Sequence, residues 1–307
     1  MRRHLGSTAL SALLALTPVP GAAQVASDPA DAFSLVARAI EARHSLRYVA
    51  RQDIVLVPPA DSAGAPPSSL TQIVTDVTRD GRRVRLVYWL PCDATHRVVV
   101  DDGRLFRQWE PARRTILVDQ SHEETAAAGR RMLALLHRNY RCLLLRRQRV
   151  NSLPCDLVAV RPRRGPAPSR LLWIERGRYA ILRTEEYDGG GRRRYFSFYE
   201  AFRFVARVPA RAFSLPQAGR IRPISHPVRD VAEPGAAFAA AGVAGRLPAW
   251  LPPGYVLVGC AVSGRRNKAA LLRYGDGLKT VSVFEEAGRD AEDPLSRQET
   301  LRRELAR

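Results

Sequence analysis

Residues 72–90 read QIVTDVTRDGRRVRLVYWL. Apolar and polar side chains alternate on both sides of Asp80-Gly81. That dipeptide favours a tight hairpin turn, because the turn needs a residue that accepts positive φ. On the return arm Val84, Leu86 and Tyr88 share one face while Arg83 and Arg85 point the other way. Two such arms satisfy their backbone groups by pairing antiparallel, so the stretch predicts sheet. The same period of two extends upstream to 47–57 and downstream to 96–101, 105–110 and 114–119, with Asp102-Gly103 as a second turn. It resumes at 141–147, 156–161, 170–175, 179–187 and 194–205, where Phe196, Phe198, Phe202 and Phe204 are expected on one face. Consecutive hairpins predict an antiparallel sheet rather than a doubly wound one.

Helical spacing interrupts this pattern twice. Asp28 and Pro29 are placed to start a helix carrying Phe33, Val36, Ala37 and Ile40 on one stripe. Ser121 and Glu124 have the spacing of a capping box ahead of Ala128, Met132, Leu135 and Leu136. The expected class is therefore α+β, an antiparallel half-barrel with covering helices over residues 28–216. Periodicity lapses from Pro209 onward, and residues 217–245 read as a Pro-, Gly- and Ala-containing linker. A smaller α+β unit over 246–307 follows. Its strands are expected at 254–262, 269–274 and 279–285, with Asp276-Gly277 as hairpin turn and a last helix from Asp293.

The first residues have the layout of a secretory leader: Arg2 and Arg3, an apolar run from Leu5 to Leu16, and small residues up to Ala23. Export is the expectation, with cleavage near Ala23 and a periplasmic destination. Removing Arg2 and Arg3 with residues 1–23 lowers the formal charge from +19 to +17, and only Lys268 and Lys279 are lysines. Export argues against nucleic acid as the partner of so basic a chain. Anionic lipid or an acidic protein segment fits better, with a solvated basic surface or a coding bias toward arginine as the plain alternatives. Cys92, Cys142, Cys155 and Cys260 allow three pairings in an oxidising compartment. Cys142–Cys155 is preferred because it would tie successive strands, with buried free thiols as the competing arrangement.

No nucleophile elbow, metalloprotease helix, phosphate loop or dinucleotide fingerprint occurs, and His44, His96, His122, His137 and His226 are scattered. Glu185 and Glu186 are strand neighbours whose carboxylates point to opposite faces. The expectation is a binding protein, not an enzyme, with no cofactor or metal. Leu86, Tyr88, Trp109, Trp173, Phe196, Phe198 and Phe202 are the candidates for an apolar concavity, weighed against ordinary core packing.

Three segments of the first domain resemble the LolA/RseB-type sheet: VVVDDGRLF (98–106) with WEP (109–111), LWIE (172–175) with ILRTE (181–185), and FSLP (213–216). The C-terminal unit is similar to that of the MucB/RseB family in LPPGY (251–255), YGDGL (274–278) and VSVFE (281–285). Gly275 and Glu175 depart from the family's usual Ser and Asp, and the wealth of arginine is unusual. The resemblance implies a LolA-like half-barrel followed by a MucB/RseB C-terminal domain. It further implies a periplasmic protein that binds the outward-facing segment of a transmembrane anti-sigma factor and shields it from proteolysis. Lipopolysaccharide, lipoprotein or another acyl-chain ligand would release that segment. Tyr274, Leu278 and Phe284 are the candidate partner contacts. A periplasmic lipid or lipoprotein carrier is the alternative, and self-association is left open.

Overall fold

The computed structural model describes residues 29–286 apart from 59–70, 92–93, 95, 122–124, 216–218, 224–227 and 265–267. The leader, Asp28, Cys92 and the helix expected from Asp293 lie outside the described residues. Helix α1 (Pro29–Ala42) precedes a meander of β1 (Arg47–Leu56), β2 (Thr71–Asp80), β3 (Arg83–Leu90), β4 (Val98–Asp101), β5 (Leu105–Glu110) and β6 (Thr115–Gln120). Helix α2 (Ala126–Asn139) leads to β7 (Tyr140–Val150), β8 (Leu153–Pro162), β9 (Ser169–Glu175), β10 (Ile181–Tyr187) and β11 (Arg193–Phe204). Together with β12 (Arg220–Pro223) these form one twelve-stranded sheet, in the order β12-β6-β5-β4-β3-β2-β1-β11-β10-β9-β8-β7. Pairing β1 with β11 joins the two meanders, and every pairing is antiparallel except β12 on β6. The α+β expectation holds.

Faces follow from register. Ala50 lies opposite Val77, Val77 opposite Leu86, and Leu86 opposite Val99, which defines the face toward the helices. At the other end that face continues through Val158, Val160, Leu172 and Ile174. These pack with Ala32, Val36 and Ala39 of α1 and Leu136 of α2 in one buried cluster. The spacing of those three α1 residues puts them on one stripe, which is why the helix docks where it does. Burying such apolar side chains contributes about 1.5–3 kcal/mol each for the larger ones.

Four local expectations differ from the structure. The cap of α2 is Thr125, whose hydroxyl accepts from Ala128 N at 3.2 Å. Ser121 instead donates to Asp101 Oδ1 at 2.7 Å, so it ties the end of β6 to β4. A bulge in β11, where Tyr199 faces Gln52 but Ala201 faces Arg51, reverses the alternation. Phe202 and Phe204 therefore share the helix-side face with Tyr48 and Ala50, while Phe196 and Phe198 lie on the other face with Val55 and Asp53. The expected single phenylalanine stripe is two.

The third difference concerns the bridge Cys142–Cys155. Cys155 faces Gln148 across the β7–β8 pair, six residues along β7 from Cys142. That separation is roughly 20 Å at strand rise, far beyond a disulfide's reach. Cys142, Cys155 and Cys260 are free and buried, and burial raises the Cys142 and Cys155 thiols to about 11.

The fourth is the segment 217–245, which carries β12, β13 (Val228–Val231) and α3 (Pro234–Ala241). Its elements gave no periodic signal because β12 is four exposed residues on a sheet edge and α3 is alanine-rich all round. β13 and α3 belong to a second antiparallel sheet, β13-β14-β15-β16, with β14 (Val256–Ser263), β15 (Ala269–Gly275) and β16 (Thr280–Glu286). Ala237 of α3 packs there on Cys260, Val262, Ala270, Leu272 and Tyr274.

Candidate functional site

Between α1, α2 and the sheet lies a cavity of about 680 Å3. Its apolar wall includes Leu46, Val77, Leu86, Val99, Met132 and Phe202. Tyr48, Gln52, Thr184, Tyr195 and Tyr199 form a hydroxyl- and amide-bearing side, and Arg79 and Asp101 a guanidinium- and carboxyl-bearing end. Tyr48 and Tyr199 share a hydrogen bond at 3.1 Å. Burial first, then the Tyr48 phenol, holds Tyr199 well above the usual tyrosine range, and burial raises Tyr195 too. The Tyr195 and Tyr199 phenols therefore remain neutral donors at physiological pH, suited to orienting a polar group rather than to proton abstraction. Arg79 Nη1 donates to Gly81 O at 3.1 Å, and Asp101 Oδ1 accepts from Gly103 N at 2.9 Å. The arrangement accommodates an elongated amphipathic molecule. No group of three His, Cys, Asp or Glu placed to hold a metal occurs among the described residues.

Of the expected concavity residues, Leu86 and Phe202 line the cavity. Tyr88 shares their face, in register with Thr75 and Gln52, but lies beyond the cavity wall. Trp109, opposite Val98 and Ile116, is on the far face, where its ring leaves no room for a Cβ at Gly219. Trp173, Phe196 and Phe198 are on the far face too. There the Arg183 guanidinium sits 4.6 Å from the Trp173 ring centre and 4.8 Å from that of Phe196, and also pairs with Glu185. Those aromatics build a cation–π stack, not a ligand wall. The cavity's tyrosines, its α2 residues and Arg79 were not among the sequence candidates; they become legible only once register and helix docking are known.

The second sheet closes on the first at the cavity's edge. The hairpin between β15 and β16 inserts Asp276, Gly277 and Leu278 against the end of α2. Tyr140 Oη donates to Asp276 Oδ2 at 2.6 Å in a buried contact. Burial, reinforced by that bond, pushes the Tyr140 phenol far above its ordinary range. Asn139 Nδ2 donates to Asp276 O at 2.8 Å and to Gly254 O at 3.0 Å. Asp276 Oδ1 meanwhile accepts from Leu278 N and Lys279 N, both at 2.8 Å, which shapes the turn. Gly277 lines the cavity with φ +98°, and a Cβ there would lie 2.2 Å from Leu136 N. Leu278 packs on the α1–α2 cluster, and Glu186 pairs with both Arg170 and Lys279. Glu185 and Glu186 do face opposite ways, the first into the Arg183 stack and the second across the contact between the sheets.

The residues expected to touch a partner divide accordingly. Tyr274 is buried in the small core, Leu278 is consumed in the contact between the two sheets, and Phe284 stays 55% exposed on β16. The YGDGL segment is thus an internal latch.

Two solved structures share this architecture over most of its length. The Pseudomonas aeruginosa MucA/MucB complex superposes with a TM-score of 0.55 at 19% identity, covering 83% of this chain and 79% of that one. The protein has the fold of MucB. A second structure, MucB in complex with MucA(peri), gives a TM-score of 0.54 at 18% identity, covering 86% of this chain and 82% of that one. No protein-family model matches the chain, and no curated protein matches its sequence. Coverage of this extent is more than the large sheet and its helices alone supply, so the likeness extends into the second sheet.

Proposed function

We propose that the protein is a periplasmic regulatory binding protein. In this reading it holds the periplasmic segment of a transmembrane anti-sigma factor, shields that segment from proteolysis and senses envelope stress through an acyl-chain ligand in the cavity. The observation that carries the reading is the likeness to MucB, solved in complex with MucA, over both sheets together. A minimal lipid carrier needs the half-barrel but not a second sheet latched to it. The leader-like residues 1–23 support export, and no described helix is long and apolar enough to cross a membrane. The cavity supports the ligand, since about 300–1,000 Å3 is the usual size of a small-molecule site. Its guanidinium-, carboxyl- and hydroxyl-bearing parts suit a lipid with a polar head, such as part of a lipopolysaccharide or lipoprotein.

The carrier alternative rests on that same cavity. Deleting the gene separates the two. A regulator releases its partner to proteolysis, so a sigma-dependent envelope-stress set of transcripts rises while lipoproteins stay correctly sorted. Mis-sorted lipoproteins appearing before any such transcripts would replace the regulator with the carrier.

A further inference from the structure

Between Glu124 and Glu175 the chain holds eleven arginines and a single acidic residue, Asp156. A coding bias toward arginine explains many arginines but not the absence of carboxylates, because the other twenty-nine of the chain's thirty acidic residues lie outside this segment. The fold gathers this segment at one pole: α2 leads into β7, the free edge of the large sheet, and β7 pairs with β8. Arg141 lies directly opposite Arg161 across that pair. Arg163 N donates to Asn139 O at 2.9 Å and its Nε to His137 O at 3.2 Å, which places the Arg163-Arg164 turn beside Arg138 at the end of α2.

Some surface arginines elsewhere are matched, as in Arg47–Asp80, Arg51–Asp76 and Arg194–Asp188, while others, such as Arg113, Arg207, Arg220 and Arg222, are exposed singly or in pairs away from this segment. At this pole Arg138, Arg141, Arg161 and Arg164 are exposed and pair with no carboxylate among the described residues. Asp156 is already shared by Arg147 and Arg176 at 3.6 Å each. Like charges set opposite each other on paired strands repel, and an external anion relieves that repulsion.

We infer that this pole is a docking surface for an anionic phospholipid membrane. Two observations favour lipid over an acidic protein. The charges run from one end of β7 to the other, roughly 30 Å at strand rise, and spread sideways onto α2 and the β8–β9 turn, wider than one extended peptide. The pole also presents no large exposed hydrophobic residue; those of the described chain lie outside 106–220. A protein interface has an apolar centre, whereas a headgroup surface needs only cations, and arginine's planar fork suits phosphate. Binding is therefore peripheral, reversible and salt-sensitive, and it stands apart from the partner reading above.

The test is co-sedimentation of the protein, purified as the cell processes it, with phosphatidylcholine vesicles containing or lacking phosphatidylglycerol. The protein should pellet with the anionic vesicles only and be released by added salt. Combined Arg138→Gln, Arg141→Gln, Arg161→Gln and Arg164→Gln should weaken this by more than about ten-fold, since each basic residue near such a surface contributes measurably. A control variant with the same charge loss elsewhere (Arg113, Arg207, Arg220 and Arg222, each to Gln) should bind within about two-fold of the parent, because these residues lie on or beside strands four or more places from β7 in the sheet order. Circular dichroism confirms that both variants fold. Equal losses in the two variants would overturn the inference, as would failure of the parent protein to bind. So would tighter, patch-dependent capture of polyglutamate than of vesicles.

Discussion

Tyr140 at the start of β7 and Asp276 at the β15–β16 turn, 136 residues apart in sequence, meet through a buried 2.6 Å hydrogen bond. Asp276 also receives two backbone N–H groups, so it shapes the turn and fastens it in one act. A bond from a neutral phenol to a carboxylate is charge-assisted, and removing the phenol leaves a buried oxygen short of a donor. Tyr140→Phe should cost about 2 kcal/mol in urea unfolding. Asp276→Ala should cost more than Tyr140→Phe, because three hydrogen bonds are lost. Equal or negligible costs would show that the contact does not latch the two sheets.

The same pair sets a pH response. The folded Tyr140 phenol titrates far above the ordinary tyrosine value, with burial as the first cause and the Asp276 bond as the second. Its contribution is complete below the unfolded value of about 10 and declines as pH climbs from there toward the folded value. The stability difference between the parent and Tyr140→Phe should therefore shrink as pH rises through about 10. Denaturant titrations on both sides of that pH measure it. A difference that grows with pH would have the wrong sign.

Gly277 occupies a conformation with φ +98° and touches the α2 backbone. Gly277→Ala is expected to cost more than about 2 kcal/mol through strain and collision together. Hydrogen exchange should quicken in residues 132–140 and 274–279 while the far edge at β4–β6 stays protected. Uniform loss of protection would mean that the whole fold, not the latch, had failed.

The cavity's walls are tested by filling it. Leu86→Trp or Phe202→Trp should weaken binding of a fluorescent fatty acid by about ten-fold or more, as overfilled apolar sites reject their ligands. Phe198→Ala, on the far face, should leave that binding nearly unchanged. The reverse ranking would place the ligand on the outer face.

Cys142, Cys155 and Cys260 should resist alkylation in the native protein and react once it is unfolded, because each is buried with a raised thiol pKa. Mass spectrometry after iodoacetamide treatment without reductant reads this directly. Recovery of a Cys142–Cys155 linked peptide would contradict the register of β7 and β8.

Much of the fold was legible because hairpin turns and period-two alternation are local. QIVTDVTRDGRRVRLVYWL became β2 and β3 with register fixed by Asp80-Gly81. The bulge at Glu200 was not legible, since it comes from pairing β11 with a β1 strand some 150 residues away. That single inserted residue moved Phe196 and Phe198 away from the cavity. The YGDGL segment was recognised as significant but assigned outward, because sequence alone does not say that Asn139 and Tyr140 await it. Phe284 is the one expected partner contact left on the surface.

As proposed, the protein binds the periplasmic segment of a membrane-anchored regulator. The most direct test of that binding is affinity capture of the protein from its own cell envelope, with mass spectrometry of what comes with it. A single-pass membrane protein with a cytoplasmic sigma-binding region should be recovered. Recovery of lipids and acylated proteins alone would contradict it.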